Sequence, residues 1–455
     1  MKNTFNGNGL PREIGLFSAT VLVIANMVGT GIFTTSGFIM AELGSPFPLL
    51  LCWFLGGVFA LCGALCYGEL GARFPKAGGE YVFLRECFGK PFGFLSGWIS
   101  LIVGFSAPIA AGAIAFATYV FQVFSIPSQN IALFGTGSFG LSPLSMMAIG
   151  IIILISMLHY HSLRIGSRVQ NGLTVFKIIL VLTFIITGFA FGQGSIHHFT
   201  MTSNLSAPLS AEKFAVSLIF ISFAYSGWNA AAYLGSEIIN PRRNIPLALF
   251  WGTLVVVILY LLLNMVYIYA IPPKDMHNVL EIGAASAMAL FGASISRVFS
   301  FAVALGLLSV LSAMIMTGPR IYYAMSKDNV FFDIFGKLNP ERKTPASSIF
   351  LQAGIAVLMV ISASFETLLI YIGFTLSLFA MLTVMGLMRL RMKGLANDTS
   401  YKTFGYPITP LLFILGNAWI IIFSLKSRPI AALIGLGTIG IGILVYYVFA
   451  RKATD

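Results

Sequence analysis

Two short stretches interrupt long apolar runs with small and polar residues. The first reads Ile24-Ala25-Asn26-Met27-Val28-Gly29-Thr30-Gly31-Ile32-Phe33. Gly29 and Gly31 bracket a threonine, and two glycines with a hydroxyl between them weaken a helical hydrogen-bond ladder. If the helix unwinds there, the free N–H groups of the following half-helix form a ready site for a carboxylate, assisted by its dipole. The carbonyls released on the other side can take an ammonium group. One segment then offers partners for both ends of a zwitterion. Close helix packing would use the same small residues. The second stretch, Phe223-Ala224-Tyr225-Ser226-Gly227-Trp228-Asn229, lies five spans later at the corresponding position. Paired interruptions of this kind point to the binding site of an inverted-repeat transporter. Tyr225 and Asn229 need polar partners in dry surroundings, from a ligand or from a neighbouring helix. Phe223 is either a gate over a ligand or ordinary core.

Charged side chains could do other chemistry, but few lie inside the apolar runs. Glu42, Glu69, Glu237 and Glu366 fall near the ends of expected spans, which argues against a proton relay or a cation site built on buried carboxylates. Lys177 is the exception. It lies six residues after Asn171, about 9 Å into the fifth expected span. It can snorkel to the interface. It can also bridge helices one, five and eight where other transporters hold sodium, or carry a coupling proton. His159, His161, His197, His198 and His277 sit at expected span ends or in loops, so no metal or catalytic cluster is expected. Cys52, Cys62, Cys66 and Cys87 crowd into one expected helix and the loop after it. They suit buried thiols better than a disulfide framework.

The elements that must position these residues follow from composition. Of 455 residues, 58% are hydrophobic and only 9% are charged, against roughly 25% in soluble domains. A cytosolic enzyme, a disordered chain and a coiled coil are excluded. An apolar stretch long enough to span begins at Ile14, and further stretches recur to the end. Twelve spans are expected, near 14–41, 46–72, 92–121, 144–160, 171–192, 212–238, 246–271, 296–318, 346–363, 366–388, 407–424 and 429–450. The longest outer connections are expected near 122–143, 193–211 and 272–295. An even number of spans puts both termini on one side. That side carries 21 of the 27 lysines and arginines and the opposite side five, while Lys177 stays inside a span. By the positive-inside rule both termini are expected in the cytoplasm. The net charge of +12 is then a topology signal, not a footprint for nucleic acid.

Several motifs appear in order along nearly the whole chain. They are Gly29-Thr30-Gly31-Ile32-Phe33, then Glu69-Leu70-Gly71 with Pro75-Lys76-Ala77-Gly78-Gly79-Glu80-Tyr81. Phe223 to Asn229 follow, with Glu237-Ile238-Ile239-Asn240-Pro241 and Asn244-Ile245-Pro246, and finally Thr317-Gly318-Pro319-Arg320 with Tyr322, Tyr323 and Ala324. Together they resemble the permeases of the amino acid–polyamine–organocation superfamily, and within it the L-type amino acid transporters and their bacterial relatives. The resemblance implies an all-α integral membrane protein of twelve transmembrane helices. Helices one and six would be broken in a five-plus-five inverted repeat of the LeuT-like type, with two extra C-terminal helices. The repeats would cover 14–192 and 212–388, the extra pair 407–450, and the cytoplasmic ends 1–13 and 451–455.

The resemblance also implies roles. The substrate carboxylate would rest on the amides around Thr30 and Gly31. Its amino group would meet carbonyls near Met27 and Val28, and near Phe223 and Ala224. Phe223 matches the family's gating aromatic. Asn229 matches the asparagine that links the unwound sixth helix to the substrate, with Tyr225, Ser226 and Gly227 completing that stretch. Lys177 matches the fifth-helix lysine of sodium-independent members. Two positions depart from the pattern: Thr30 stands where many relatives have serine, and Ser312 where asparagine is expected. No cysteine between Phe121 and Leu144 suits the accessory-subunit disulfide of the animal carriers, so no disulfide-linked subunit is expected.

The expected activity is sodium-independent transport of neutral L-amino acids across a plasma or inner membrane, by exchange or proton symport. The alternative within the superfamily is a polyamine or cationic amino acid carrier, which would want a carboxylate near the distal amine. A membrane-embedded enzyme would need a converging nucleophile, base or metal. A channel would need rings of charges or carbonyls. Neither pattern is present, and no cofactor is expected.

Overall fold

The computed structural model describes residues 12–124, 126, 142–161, 163–201, 210–339, 344–394 and 401–452, without the side chains of 163–171 and 449–452. Helices fill it, and no strand occurs among the described residues. In chain order they are α1 (Leu16–Met27), α2 (Thr30–Thr34), α3 (Ser36–Leu43), α4 (Pro46–Arg73), α5 (Glu80–Phe88), α6 (Lys90–Ile99) and α7 (Ala107–Val123). Then come α8 (Pro143–His161), α9 (Leu163–Phe191), α10 (Ala211–Ala224), α11 (Ala230–Tyr233), α12 (Pro241–Ala270) and α13 (Ile282–Phe291). The chain ends with α14 (Ala293–Thr317), α15 (Pro319–Lys327), α16 (Ala346–Ser362), α17 (Phe365–Met392), α18 (Ile408–Ser427) and α19 (Pro429–Lys452).

Among the described residues, 10 helical segments are long and apolar enough to cross a membrane. Their outward faces carry large exposed apolar side chains, such as Ile153, Leu154, Val298, Phe301 and Leu444. Such a surface suits lipid and not water. The chain is a multi-pass membrane protein. The other two expected spans correspond to the 17-residue α16 and the 14-residue α10.

Three expected elements differ. The sixth span does not run to 238. Its helix stops at Ala224 and only the four residues of α11 are helical beyond it. Gly227 has φ +97, a left-handed conformation that a right-handed helix cannot include. Residues 237–239 then bond to the N-terminal segment, with Ile239 N–H donating to the Ile14 carbonyl at 2.9 Å and the Ile14 N–H donating to the Glu237 carbonyl at 3.0 Å. The fifth helix begins at Leu163, ahead of the expected span, whose apolar part is Gly172–Phe191. The polar run from Arg164 to Asn171 is thus a helical extension, because polarity excludes lipid and does not exclude helix. The third span contains a π-helical segment, Ser100–Ser106. Pro108 follows it and has no N–H for the ordinary ladder, which widens the preceding turn.

Packing separates the helices that carry the breaks from those around them. Helices α1, α4, α10 and α12 pack together, and α7, α8, α9, α14 and α16 form a second group. The two groups meet where α12 packs on α9 and α1 on α14. Of the expected outer connections, 272–295 contains α13 and 193–211 contains a 3-10 turn, Ile196–Phe199, while most of 122–143 lies outside the described residues.

Candidate functional site at the two helix breaks

The first break falls at Val28 and Gly29, slightly earlier than the glycine spacing suggests. Helix α1 ends at Met27, Gly29 has φ −137 and ψ −148, and Thr30 opens α2. Thr30 and Gly31 therefore form the first turn of a half-helix, whose amides have no partner within it. The half-helix continues past a bend at Thr35, whose N–H still donates to the Gly31 carbonyl at 2.9 Å. Asn26, one residue before the end of α1, donates to the Leu22 carbonyl at 2.9 Å.

At the second break the Tyr225 N–H still reaches the Ile221 carbonyl, and the Ser226 N–H turns back to Phe223 at 2.9 Å. The breaks touch each other directly. A Cβ added to Gly31 would lie 2.3 Å from Ala224 Cα, and one added to Gly227 would lie 2.8 Å from the Asn26 carbonyl carbon. Only glycine allows backbone to meet backbone at this distance.

A tyrosine that the sequence did not single out pins the junction. Tyr260 of α12 has its hydroxyl 2.5 Å from the Met27 carbonyl and 3.1 Å from the Ala224 carbonyl. These carbonyls belong to the last residues of α1 and α10, where a helix leaves its acceptors unpaired. Trp53 packs edge-on against both Tyr260 and Tyr225, and its carbonyl accepts from the Tyr225 hydroxyl at 3.1 Å. The Tyr225 hydroxyl is thus tied to α4. The signal for Tyr260 was its position, a lone tyrosine in the run Val257-Ile258-Leu259-Tyr260-Leu261-Leu262. Tyr260→Phe should raise the substrate KM about tenfold, the equivalent of ~1.4 kcal/mol for leaving buried carbonyls unpaired. Measured KM values equal to those of the unaltered protein would remove Tyr260 from the site.

Lys177 is fully buried, and its Nζ donates to the Ala25 carbonyl at 3.0 Å. It stands 14 residues from each end of α9, near the middle of the helix. Its methylenes lie along Gly306 of α14, with Cγ 3.3 Å from where a Cβ would be. The side chain therefore spans α9, α14 and the end of α1. Ser312, further along α14, is 2.8 Å from Nε2 of His159. His159 does lie at the end of α8, but it is fully buried, not solvated.

A cavity of about 110 Å³ opens beside the second break. Asn26, Ser226, Asn229, Glu80, Ser377 and Asn417 supply much of its polar lining. Met27 to Gly31 do not line it, nor do Phe223 and Ala224, because the two breaks are closed on each other. Phe223 is core in this arrangement, at 5% exposed. Glu80 is the unexpected member. Its Oε1 accepts from the Tyr67 hydroxyl at 2.6 Å and from Asn229 Nδ2 at 2.9 Å. Burial holds its carboxyl above the usual carboxylate range, and the bonds from Tyr67 and Asn229 oppose that rise. The cavity wall therefore includes a carboxyl side chain. Glu80 was legible only as part of a loop motif. Among the described residues no group of three or more metal-binding side chains occurs.

A family model described as amino acid permease matches residues 14–450. The chain belongs to the amino acid permease family. This permease is an amino acid transporter and not an enzyme. It is 30% identical over 449 residues to the large neutral amino acids transporter small subunit 2 of Mus musculus, covering 97% of this chain and 81% of that one. It is 29% identical over 458 residues to the serine/threonine exchanger SteT of Bacillus subtilis (strain 168), covering 98% of each chain. The b(0,+)-type amino acid transporter 1 of Mus musculus is 29% identical over 429 residues, covering 92% of the permease and 84% of that relative.

Proposed function

We propose that this permease exchanges neutral L-amino acids by alternating access, without sodium. The observation that carries the reading is the convergence of two helix breaks on Tyr260, with the buried Lys177 ammonium on the carbonyl just before the first break. A fixed ammonium between α9 and α1 supplies the positive charge that a bound sodium ion would otherwise bring. Exchange is favoured because a relative of matching length, SteT, is named an exchanger. Neutral substrates fit the names of that relative and of the large neutral amino acids transporter.

In this reading the substrate carboxylate sits on the amides of Thr30 and Gly31. Its amino group meets the carbonyls of Met27, Val28, Phe223 and Ala224, so Gly31 and Ala224 must part to admit it. Phe223 moves over the bound substrate, and Asn229 couples it to the stretch after the second break. Val28 and Gly29 supply the unwound turn, and Tyr225, Ser226 and Gly227 shape the other. Ser312 with His159 ties the scaffold helices.

The chain crosses the plasma or inner membrane twelve times with both termini in the cytoplasm. Its layout is two five-helix repeats, 14–192 and 212–388, followed by the pair within 407–450. The packing of α1 with α12 and of α10 and α12 with α4, and of α7, α8, α9 and α16 with α14, supports a rocking group and a scaffold. It works without a disulfide-linked subunit, a reading supported by the burial of all four free cysteines.

The test is uptake of radiolabelled amino acids into proteoliposomes. We expect saturable uptake only when the lumen holds unlabelled neutral amino acid, with no change on replacing sodium. Uptake driven by a pH gradient into empty vesicles would replace exchange by proton symport. No saturable uptake of any amino acid would overturn the reading.

A further inference from the structure

The loop after α4 is buttoned to the stretch after the second break, at the end of the bundle that holds Ile14. Ala77 and Leu234 form an isolated antiparallel bridge. The Gly78 N–H donates to the Tyr233 carbonyl at 3.1 Å. Glu80 adds a side-chain tie, joining Tyr67 of α4 to Asn229 through a single oxygen. Its other oxygen, Oε2, makes no hydrogen bond among the described residues, and the side chain lines the cavity. No cation pairs with it among the described residues. A buried, unpaired carboxylate is costly to keep, and an apolar side chain would fill the place at less cost. On its other flank α5 is held more firmly. The Tyr81 hydroxyl is 2.5 Å from Asp328, and the Arg85 guanidinium pairs with the same carboxylate. Asp328 directly follows α15.

The asymmetry locates the weak point. Residues 225–229 form a wall of the cavity, and α5 is anchored to Asp328 by an ion pair and a second hydrogen bond. For this end of the cavity to open, the wall must leave α5, and the Asn229–Glu80 bond must break. We propose that Glu80 is a positioning residue for transport, which holds the stretch after the second break in its closed place through Asn229. The proposal rests on the transport reading above and adds a residue that sets the balance between arrangements open to either end.

The experiment measures KM from each side of oriented proteoliposomes. Glu80→Ala removes the tie and favours the arrangement open toward the Ile14 end. Substrate arriving from the opposite side then meets fewer receptive molecules, so its KM should rise about tenfold, while KM from the Ile14 end stays or falls. Glu80→Gln keeps an acceptor for Asn229 and should shift the same way by less. A second reading uses Ser377→Cys, a buried position on the cavity wall. Its modification by an impermeant maleimide from the Ile14 end should accelerate about tenfold when Glu80→Ala is added, against a background without the new cysteine. Equal KM changes from both sides, or an unchanged labelling rate, would overturn the proposal. If Glu80→Ala does not fold, Glu80→Gln decides it, and no sided shift in that variant is a negative result. If the unaltered protein transports no amino acid, the transport reading has failed. The labelling rate still tests the tie on its own.

Discussion

Lys177→Ala should leave a folded, membrane-inserted protein whose amino acid uptake falls to between about a tenth and a hundredth of the native rate. That span corresponds to one charge-assisted hydrogen bond, about 1.5–3 kcal/mol. The bond in question joins Lys177 Nζ to the Ala25 carbonyl, two residues before α1 ends. Without it the end of α1 loses its link to α9 and α14, and the first break is no longer held relative to the second group of helices. Lys177→Met separates charge from packing, because it keeps methylenes against Gly306. Both variants should lose uptake to a similar degree, since the loss is electrostatic. Native rates in both would make Lys177 a structural side chain only. Native rates in Lys177→Met with loss in Lys177→Ala would assign the effect to packing.

Gly31→Leu should abolish substrate binding altogether. Even the first carbon of the new side chain would overlap backbone, since an added Cβ lies 2.3 Å from Ala224 Cα and 2.6 Å from Ala224 Cβ. Backbone cannot turn aside as a side-chain tip can, so α2 and α10 must separate. Tyr260, which reaches the carbonyls of both breaks, cannot then hold them together. Overpacking of this kind costs about 1–3 kcal/mol for a tolerated insertion and more where backbone must move. Gly31→Ala provides a graded case and should weaken binding less. Gly354→Ala is the control, because nothing lies within 4 Å of that glycine's missing side chain. The measurement is thermal stabilisation of detergent-purified protein by neutral amino acids. Normal substrate affinity in Gly31→Leu would remove the carboxylate site from this place.

The breaks were legible because they depend on local chemistry. Glycines beside hydroxyls within an apolar run weaken a helix wherever they occur, so Gly29 and Gly227 marked both interruptions within a residue or two. Lys177 was legible for a similar reason: a lone cation in an apolar run must have a use or an exit. What polarity did not reveal was the start of α9, which extends past the apolar run to Leu163. The long second half of the sixth span was misjudged. Glu237 and Ile239 find backbone partners on Ile14 and not within a helix, a pairing between segments over two hundred residues apart.

The sequence by itself determined that this is a multi-pass membrane protein of the amino acid permease family, and where its helices break. Those properties follow from composition, from the length of apolar runs and from motifs in order, all of which are local along the chain. Only the tertiary structure decided which side chains meet at the breaks. Tyr260 and Trp53 enter from α12 and α4, His159 reaches Ser312 from another helix, and Glu80 reaches the cavity from a loop that the sequence placed outside the membrane. Each is a polar group buried by packing, whose hydrogen-bond partner must come from elsewhere in the chain. The identity of that partner depends on which helices stand side by side, and no local pattern in the sequence specifies it.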